Sequence, residues 1–281
     1  MKPEIIASEK SWEYRMPGHP ESPERLSRSY PYLKKRGYGM REPETSLEED
    51  VLLVHDRALV EAVKSGKFFD FDTPPLEGIY GYAMLSVSAA VTAMKTAREG
   101  RTAFSLMRPP GHHATRDSLG GFCYFNNIAI AVSKYLKYGG KAAIVDFDCH
   151  HGNGTQDIFM GKKNVLYVSL HQSPLYPGTG LISEKNCFNY PLAHGTGEKV
   201  FMDALSSGLR KVRGFKPDMI AVSAGFDNYR DDPITDLGLD ISSYGKIAGA
   251  IASLGIPRFG VLEGGYADDL PACIFSFLEK F

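Results

Sequence analysis

Val145-Asp146-Phe147-Asp148-Cys149-His150-His151-Gly152-Asn153-Gly154 is the stretch on which the reading of the fold turns. Apolar residues from Ala142 to Val145 give way abruptly to two carboxylates, two imidazoles and a pair of glycines around an asparagine. The run reads as a buried strand whose end delivers ligands. Strand side chains alternate faces with a period of two, so Asp146, Asp148 and His150 share one side, and Phe147 and Cys149 the other. The first set suits a metal ion, and the second suits a core.

Outward from this stretch, short apolar runs alternate with longer runs of helical period from Thr102 onward, the pattern of βαβ units on a parallel sheet. Strands are expected at Thr102–Leu106, Lys141–Asp146, Val165–Leu170, Met219–Ser223 and Phe259–Leu262. Between them lie helices at Phe125–Tyr138, Asn153–Phe159, Glu198–Val212 and Ser242–Leu254, with a last one near Asp269–Glu279. Strands this uniformly apolar are buried on both faces. The first hundred residues are more helical. Ser22 is an N-cap followed by Pro23 at the first helical position, and Pro31 should kink or end that helix within about three turns. Further helical pieces start at Ser46 to Glu49, run from Asp56 to Lys64 with a stop at Ser65-Gly66, and run from Gly78 to Arg98 with many small residues for close packing.

With 281 residues, 43% of them hydrophobic, and no break in composition, residues 1–281 are expected to form one α/β domain around a large core. The 32 basic and 33 acidic residues leave a net charge of -1, which gives no footprint for nucleic acid or an anionic membrane. Cys123, Cys149, Cys187 and Cys273 are scattered without a C-x-x-C pair, as in a reducing compartment. Met1-Lys2-Pro3-Glu4 is not followed by the apolar core of a signal peptide, and no run approaches the ~20 apolar residues of a membrane span. A soluble, cytoplasmic protein is expected.

In open parallel sheets ligands sit beyond the carboxyl ends of the strands. The loops at those ends read Arg108-Pro109-Pro110-Gly111-His112-His113, Asp148-Cys149-His150-His151, His171 to Gly180, Gly225-Phe226-Asp227 and Glu263-Gly264-Gly265-Tyr266. Five strands thus hand polar residues to one rim. Asp148, His150 and Asp227 make two carboxylates and one imidazole, and three protein ligands with an open position is the pattern of a catalytic zinc site. Fe(II) or Co(II) would accept the same donors. A second metal lacks ligands, because Gly152 and Tyr229 lie two past His150 and Asp227, and Gly225 two before the latter.

Hydrolysis at such a site needs groups that move protons. His112 and His113 can divide that work, with Asp146 placed to hold one ring and Asn153 the other. Tyr266, behind two glycines, is a proton-bearing donor for a developing oxyanion. Phe122 and Tyr176 are rim aromatics that can wall a channel for an extended chain, and Asp72 is an acidic residue suited to its mouth. Each has a plainer reading as a turn, anchor or surface residue; it is their convergence on one rim that favours a site.

These residues resemble the zinc-dependent histone deacetylase and acetylpolyamine amidohydrolase superfamily, which has an arginase-like, three-layer α/β fold with a central mostly parallel sheet flanked by helices. The resemblance follows chain order through His19-Pro20-Glu21 to Arg25, Asp72-Thr73-Pro74, Arg108 to His113, Gly121 to Asn127, Asp146 to Gln156, His171 with Pro177-Gly178-Thr179-Gly180, Asp227 with Asp232-Pro233, and Leu262 to Tyr266. It implies one zinc ion on Asp148, His150 and Asp227, His112 as principal base, His113 as acid or electrostatic partner, and Tyr266 polarising the amide carbonyl. Phe122 and Tyr176 would sandwich the acyl-bearing stem, with Gly121 and Ile234 also on the channel and Asp72 holding the substrate backbone. A potassium ion near Asp146, Asp148, His150 and Ser169 is implied too, and Arg25 matches a residue lining a cavity for acetate release.

Glu263 and Asn153 match the class II and prokaryotic branches, since the class I pattern has glycine and aspartate there. The chain is shorter than most members, which implies a more open mouth. Ile234 replaces the acidic gatekeeper of polyamine-selective eukaryotic members and argues against a polycation entering in their manner. The expected activity is removal of acetyl, or another short acyl group, from a primary amine, with acetyl-lysine first and acetylpolyamines or other small acylated amines as the alternative. A binuclear manganese ureohydrolase and an inactive acetyl-lysine binder are the readings from other classes.

Overall fold

The structure, a computed structural model, describes residues 2–281; Met1, the head of the stretch read for a leader, lies outside the described residues. Eight strands form one sheet: β1 (Glu4–Ile6), β2 (Met40–Arg41), β3 (Ala103–Ser105), β4 (Ala142–Asp146), β5 (Val165–Gln172), β6 (Cys187–Leu192), β7 (Met219–Ala224) and β8 (Arg258–Leu262). Their order is β2-β1-β3-β8-β7-β4-β5-β6, and every neighbouring pair is parallel. The expected parallel sheet is therefore present without an antiparallel member among the described residues. Because all strands run one way, their carboxyl ends make a single edge.

The helices are α1 (Glu24–Lys35), α2 (Glu48–Val51), α3 (Arg57–Ser65), α4 (Ile79–Arg98), α5 (Asn127–Leu136), α6 (Asn153–Phe159), α7 (Glu198–Phe215), α8 (Ile241–Ala252) and α9 (Leu270–Leu278). They cover the sheet on both sides and make three layers. One core gathers Ala143, Val145, Phe147 and Cys149 of β4 and its extension with side chains of α1, α7, α8 and α9. Ala142 and Ile144 belong to the opposite core, under α3, α4, α5 and α6. The period-two alternation thus continues past the end of β4, which leaves Asp146, Asp148 and His150 on the other side from Phe147 and Cys149.

Three strands escaped the sequence pattern, and for one reason. β1 and β2 have three and two residues, while β6 carries Asn189, an exposed Pro191 and half-buried neighbours as the last strand of the sheet. Proline is tolerated at a sheet edge because one ladder face needs no donor. The effect expected of Pro31 is also absent: α1 runs through it to Lys35. Pro31 is exposed there, as is Ser27, whose carbonyl loses its intrahelical partner and faces water. Among the described residues no helix is long and apolar enough to cross a membrane.

Candidate active site

The central strands set the site. Asp146 closes β4 in register with Ser169 of β5 and Ser223 of β7, and the chain then turns so that Asp148 and His150 stand above the sheet edge. Asp227 arrives from the loop after β7. One ligand atom from each of Asp148, His150 and Asp227 can be chosen so that all lie within 4.8 Å of one another, and all three residues are buried. His150 Nδ1 is 3.2 Å from Asp148 Oδ1 and 2.9 Å from Asp227 Oδ2. Backbone amides fix the remaining oxygens: Asp148 Oδ2 accepts from Gly264 N–H at 2.7 Å, and Asp227 Oδ1 accepts from Cys149 N–H at 2.9 Å.

This donor set fits a metal ion. Two buried carboxylates face each other with an imidazole between them, and burial and then the charge of Asp148 push Asp227 up to about 6. The space beside the donors exists because Gly225 and Gly264 lack side chains: a Cβ would come within 2.2 Å of Asp148 Oδ2 at the first and 2.5 Å of Asp227 Oδ2 at the second. Buried charges of one sign require a compensating cation, and this set offers N and O donors suited to zinc. The potassium site gains no such support, since Ser169 Oγ lies 2.8 Å from His171 Nδ1, and Asp146 Oδ2 is engaged by His112 and Tyr167.

The two histidines lie side by side, ring centroids 4.0 Å apart, but their partners differ. His112 Nδ1 is 3.1 Å from Asp146 Oδ2, which also accepts from the Tyr167 hydroxyl at 2.9 Å. His113 Nδ1 is 2.8 Å from Asn153 Oδ1. Burial opposes a charge on both rings, yet the carboxylates of Asp148 and Asp146 outweigh it at His112 and raise it to about 10. At His113 burial acts together with the charges of His112 and His150, and its pKa falls well below the ordinary range. One ring is built to carry charge and its neighbour to stay neutral.

Across the pocket stands Tyr266. Its backbone N–H donates to Asp232 Oδ2 at 2.8 Å, and the Arg25 guanidinium lies 4.8 Å from its ring centre. Burial, with Asp227 and Asp148 nearby, raises the phenol well above 10.0, so it keeps its proton. Phe122 adopts a φ of +68°, uncommon for a residue with a side chain, and its ring thereby meets His19 at 4.6 Å and Tyr266 at 5.9 Å. Tyr176, half exposed, packs edge-on against His113 at 5.0 Å. Asp72 Oδ1 accepts from Gly121 N–H at 3.1 Å and from Thr73 Oγ1 at 3.1 Å, which ties the mouth loop to the channel wall. Asp72, His112, His113, Gly121, Phe122, Tyr176, Ile234 and Tyr266 line one cavity of about 280 Å³ with Asp148 and His150 at its base.

Residues 19–279 match the model of the histone deacetylase domain. The chain belongs to the histone deacetylase domain family. It is 39% identical over 277 residues to a probable deacetylase of Archaeoglobus fulgidus, across 89% of this chain and 77% of that one. It is 42% identical over 212 residues to acetylpolyamine amidohydrolase 1 of Pseudomonas aeruginosa, across 71% of this chain and 61% of that one. A solved structure of acetylpolyamine aminohydrolase from Burkholderia pseudomallei superposes with a TM-score of 0.92 at 30% identity, covering 100% of this chain and 98% of the other. The deacetylase-like α/β fold implied by the sequence is thereby established, and the family and these names agree on deacetylation, an amide hydrolysis, as the class of reaction.

Several members of this candidate site carried no signal that single-residue reasoning could use. Arg108, fully buried, grips Glu21 with Nε to Oε1 at 2.5 Å and Nη2 to Oε2 at 2.7 Å, and Tyr14 donates to the same carboxylate at 3.0 Å. The pair is a two-pronged, charge-assisted contact that fastens the amino-terminal segment to the loop carrying His112. Tyr167 reaches Asp146 from the neighbouring strand. Asp232, pushed up to about 7 by burial and by Asp227, holds both Ile234 and Tyr266 through their amides. Glu21, Arg108 and Asp232 stand within motifs that carry the resemblance, but their pairings, and the reach of Tyr167, are not visible in the sequence.

Proposed function

We propose that residues 1–281 act as one catalytic domain, a zinc-dependent amidohydrolase that removes an acetyl or other short acyl group from a primary amine, with small acylated amines of the acetylpolyamine type ahead of acetyl-lysine peptides. The observation that carries the hydrolytic reading is a single pocket with Asp148 and His150 at its base and Asp227 buried beside them, two unequal histidines on one wall and a protonated phenol on the other. Asp148, His150 and Asp227 would hold the zinc ion, which supplies Lewis acidity to the amide oxygen and to water.

The chain's own groups do the rest. Phe122 and Tyr176 flank the stem of the substrate and keep bulk water off the scissile bond. Tyr266 donates to the amide oxygen as negative charge develops there. An amide partner such as Asn153 leaves His113 neutral with Nε2 free, so His113 is the acceptor of the proton from the attacking water, while Asp146 stabilises a charged His112 beside it. This division reverses the one implied by the resemblance, in which His112 is the principal base. Water adds to the carbonyl carbon, the C–N bond breaks, and both protons of that water end on the departing nitrogen, the first returned by His113 and the second lost from the new carboxyl group, giving acetate and the alkylammonium product.

The substrate preference rests on relatives and on the mouth. Acetylpolyamine amidohydrolases stand among the relatives and among the solved structures. At the rim the Asp72 backbone N–H donates to Asp70 Oδ1 at 3.1 Å, and burial followed by the neighbouring Asp70 carboxylate raises the pKa of Asp72. Phe69 and Phe71, 89% and 97% exposed, flank Asp70. Carboxylates without a cation partner and open aromatic faces suit an ammonium group. The apolar Ile234 argued against polyamines by comparison with one gatekeeper position, but acidity at this mouth lies on the opposite loop. Acetate release from N-acetylputrescine, N-acetylspermidine and an acetyl-lysine peptide, measured side by side, tests the order: kcat/KM highest for the peptide would reverse it.

A further inference from the structure

Glu263 directly follows β8 and is wholly buried, yet the proposed chemistry gives it no part. Its Oε2 accepts from the backbone N–H of Gly111 at 2.7 Å and of His112 at 3.1 Å, and its Oε1 accepts from the Ser223 hydroxyl at 3.0 Å. From the end of β8 the carboxylate therefore bridges its two neighbours in the sheet, taking Ser223 of β7 on one oxygen and the loop after β3 on the other. Its main chain is held from the other side: Arg25 donates to the Glu263 carbonyl and, through Nε, to the Gly265 carbonyl at 2.8 Å, with its guanidinium over the Tyr266 ring. A segment of four residues thus grips the histidine loop at one end and bears Tyr266 at the other.

A buried carboxylate carries a desolvation cost, and burial raises Glu263 to about 7. That cost is offset where the group orders two amides that would otherwise be orphaned beside a reacting centre. We infer that Glu263 is a positioning residue that sets the separation of the His112–His113 pair from Tyr266 across the pocket, acting through the Gly111 and His112 amides. It touches no substrate. The inference rests on the amidohydrolase reading for its kinetic consequence, while its structural half stands apart from that reading.

Two substitutions in the full-length, zinc-loaded chain test it. Glu263→Gln keeps an oxygen for the two amides and a donor for Ser223, whereas Glu263→Ala removes both. Misplacing reacting groups by ~1 Å can cost ~10²-fold. Glu263→Ala should therefore lower kcat for acetate release by about 10–100-fold with KM held within about threefold, and amide exchange at Gly111 and His112 should accelerate at least about tenfold as their bonds are lost. Glu263→Gln should restore kcat to within about threefold and restore protection. Unchanged kcat in Glu263→Ala, equal impairment in Glu263→Gln, or unaltered exchange at the two amides would each overturn the inference. If the wild-type chain releases no acetate from any acylated amine, the functional reading fails, and the exchange comparison alone decides Glu263. Should Glu263→Ala not fold, Glu263→Asp, which draws the carboxylate back by one methylene, is read in the same way: faster exchange at both amides is expected, and unaltered exchange overturns the proposal.

Discussion

The side-chain oxygen of Asn153 lies 2.8 Å from Nδ1 of His113, so this ring donates its Nδ1 proton to a neutral amide while its neighbour, His112, has the carboxylate of Asp146 at the same position. The difference in partners adds to the charge of Asp148 at His112 and to burial at His113, and the two adjacent imidazoles are given opposite preferences for charge.

Replacing that amide by a carboxylate should change the pH profile. His113 now lies well below 6.5 through burial and the charge of His112. In Asn153→Asp a negative partner favours the imidazolium, the pKa of His113 rises, and the neutral form is lost at higher pH. The acid limb of kcat/KM should then move upward by about one pH unit or more. A pH–rate series on both proteins checks it, and an unmoved limb would place the proton acceptor elsewhere.

Tyr266→Phe should lower kcat by about 10²–10³-fold with little change in KM, as for loss of one oxyanion donor. The Asp232 contact is made by the backbone amide of residue 266 and persists in the variant, so the fold is unaffected. Steady-state kinetics with a thermal melt separates this from unfolding; equal kcat would remove the phenol from the mechanism.

Asp70→Asn should raise KM for a cationic acetylpolyamine about 2–5-fold, the size of an exposed ion pair, and leave a neutral acylamine unaffected. Added salt should narrow the difference. Parallel shifts for both substrates would point to a change in the loop and not to charge recognition.

His55 gives the fold a separate acid sensitivity. It is 2% exposed, its Nδ1 lies 2.8 Å from the Thr115 carbonyl, and its Nε2 accepts from Asn126 N–H at 2.8 Å, which requires the neutral ring. Burial lowers its pKa from 6.5 to about 4. The unfolded chain therefore binds more protons than the folded one between these values. The associated stability is full above pH 6.5 and lost as pH falls toward 4, about 3 kcal/mol over the window. Denaturant titrations at pH 7 and 4.5 measure it, and the pH dependence should be smaller in His55→Gln.

Much of this was legible in the sequence because the site lies where a strong pattern breaks. β4, β5, β7 and β8 are buried on both faces, so their apolar runs stand out and the polar residues at their ends are conspicuous. The short and edge strands β1, β2 and β6 carry too few buried positions to show a period. Alternation along one strand separated Asp148 and His150 from Phe147 and Cys149, but it could not reveal that Tyr167 reaches Asp146, or that Glu21 neutralises Arg108 from 87 positions away. Those contacts depend on which strands become neighbours, and non-local register is not written in any local period.

The amidohydrolase reading stands on a cation at Asp148, His150 and Asp227, and the direct measurement is acetate released from N-acetylputrescine by the protein loaded with zinc, compared with the same preparation after chelation. The account predicts turnover with about one zinc per chain, its loss on chelation, and its return when zinc is restored. Undiminished turnover after the metal is stripped, or no acetate from any acylated amine with zinc bound, would contradict it.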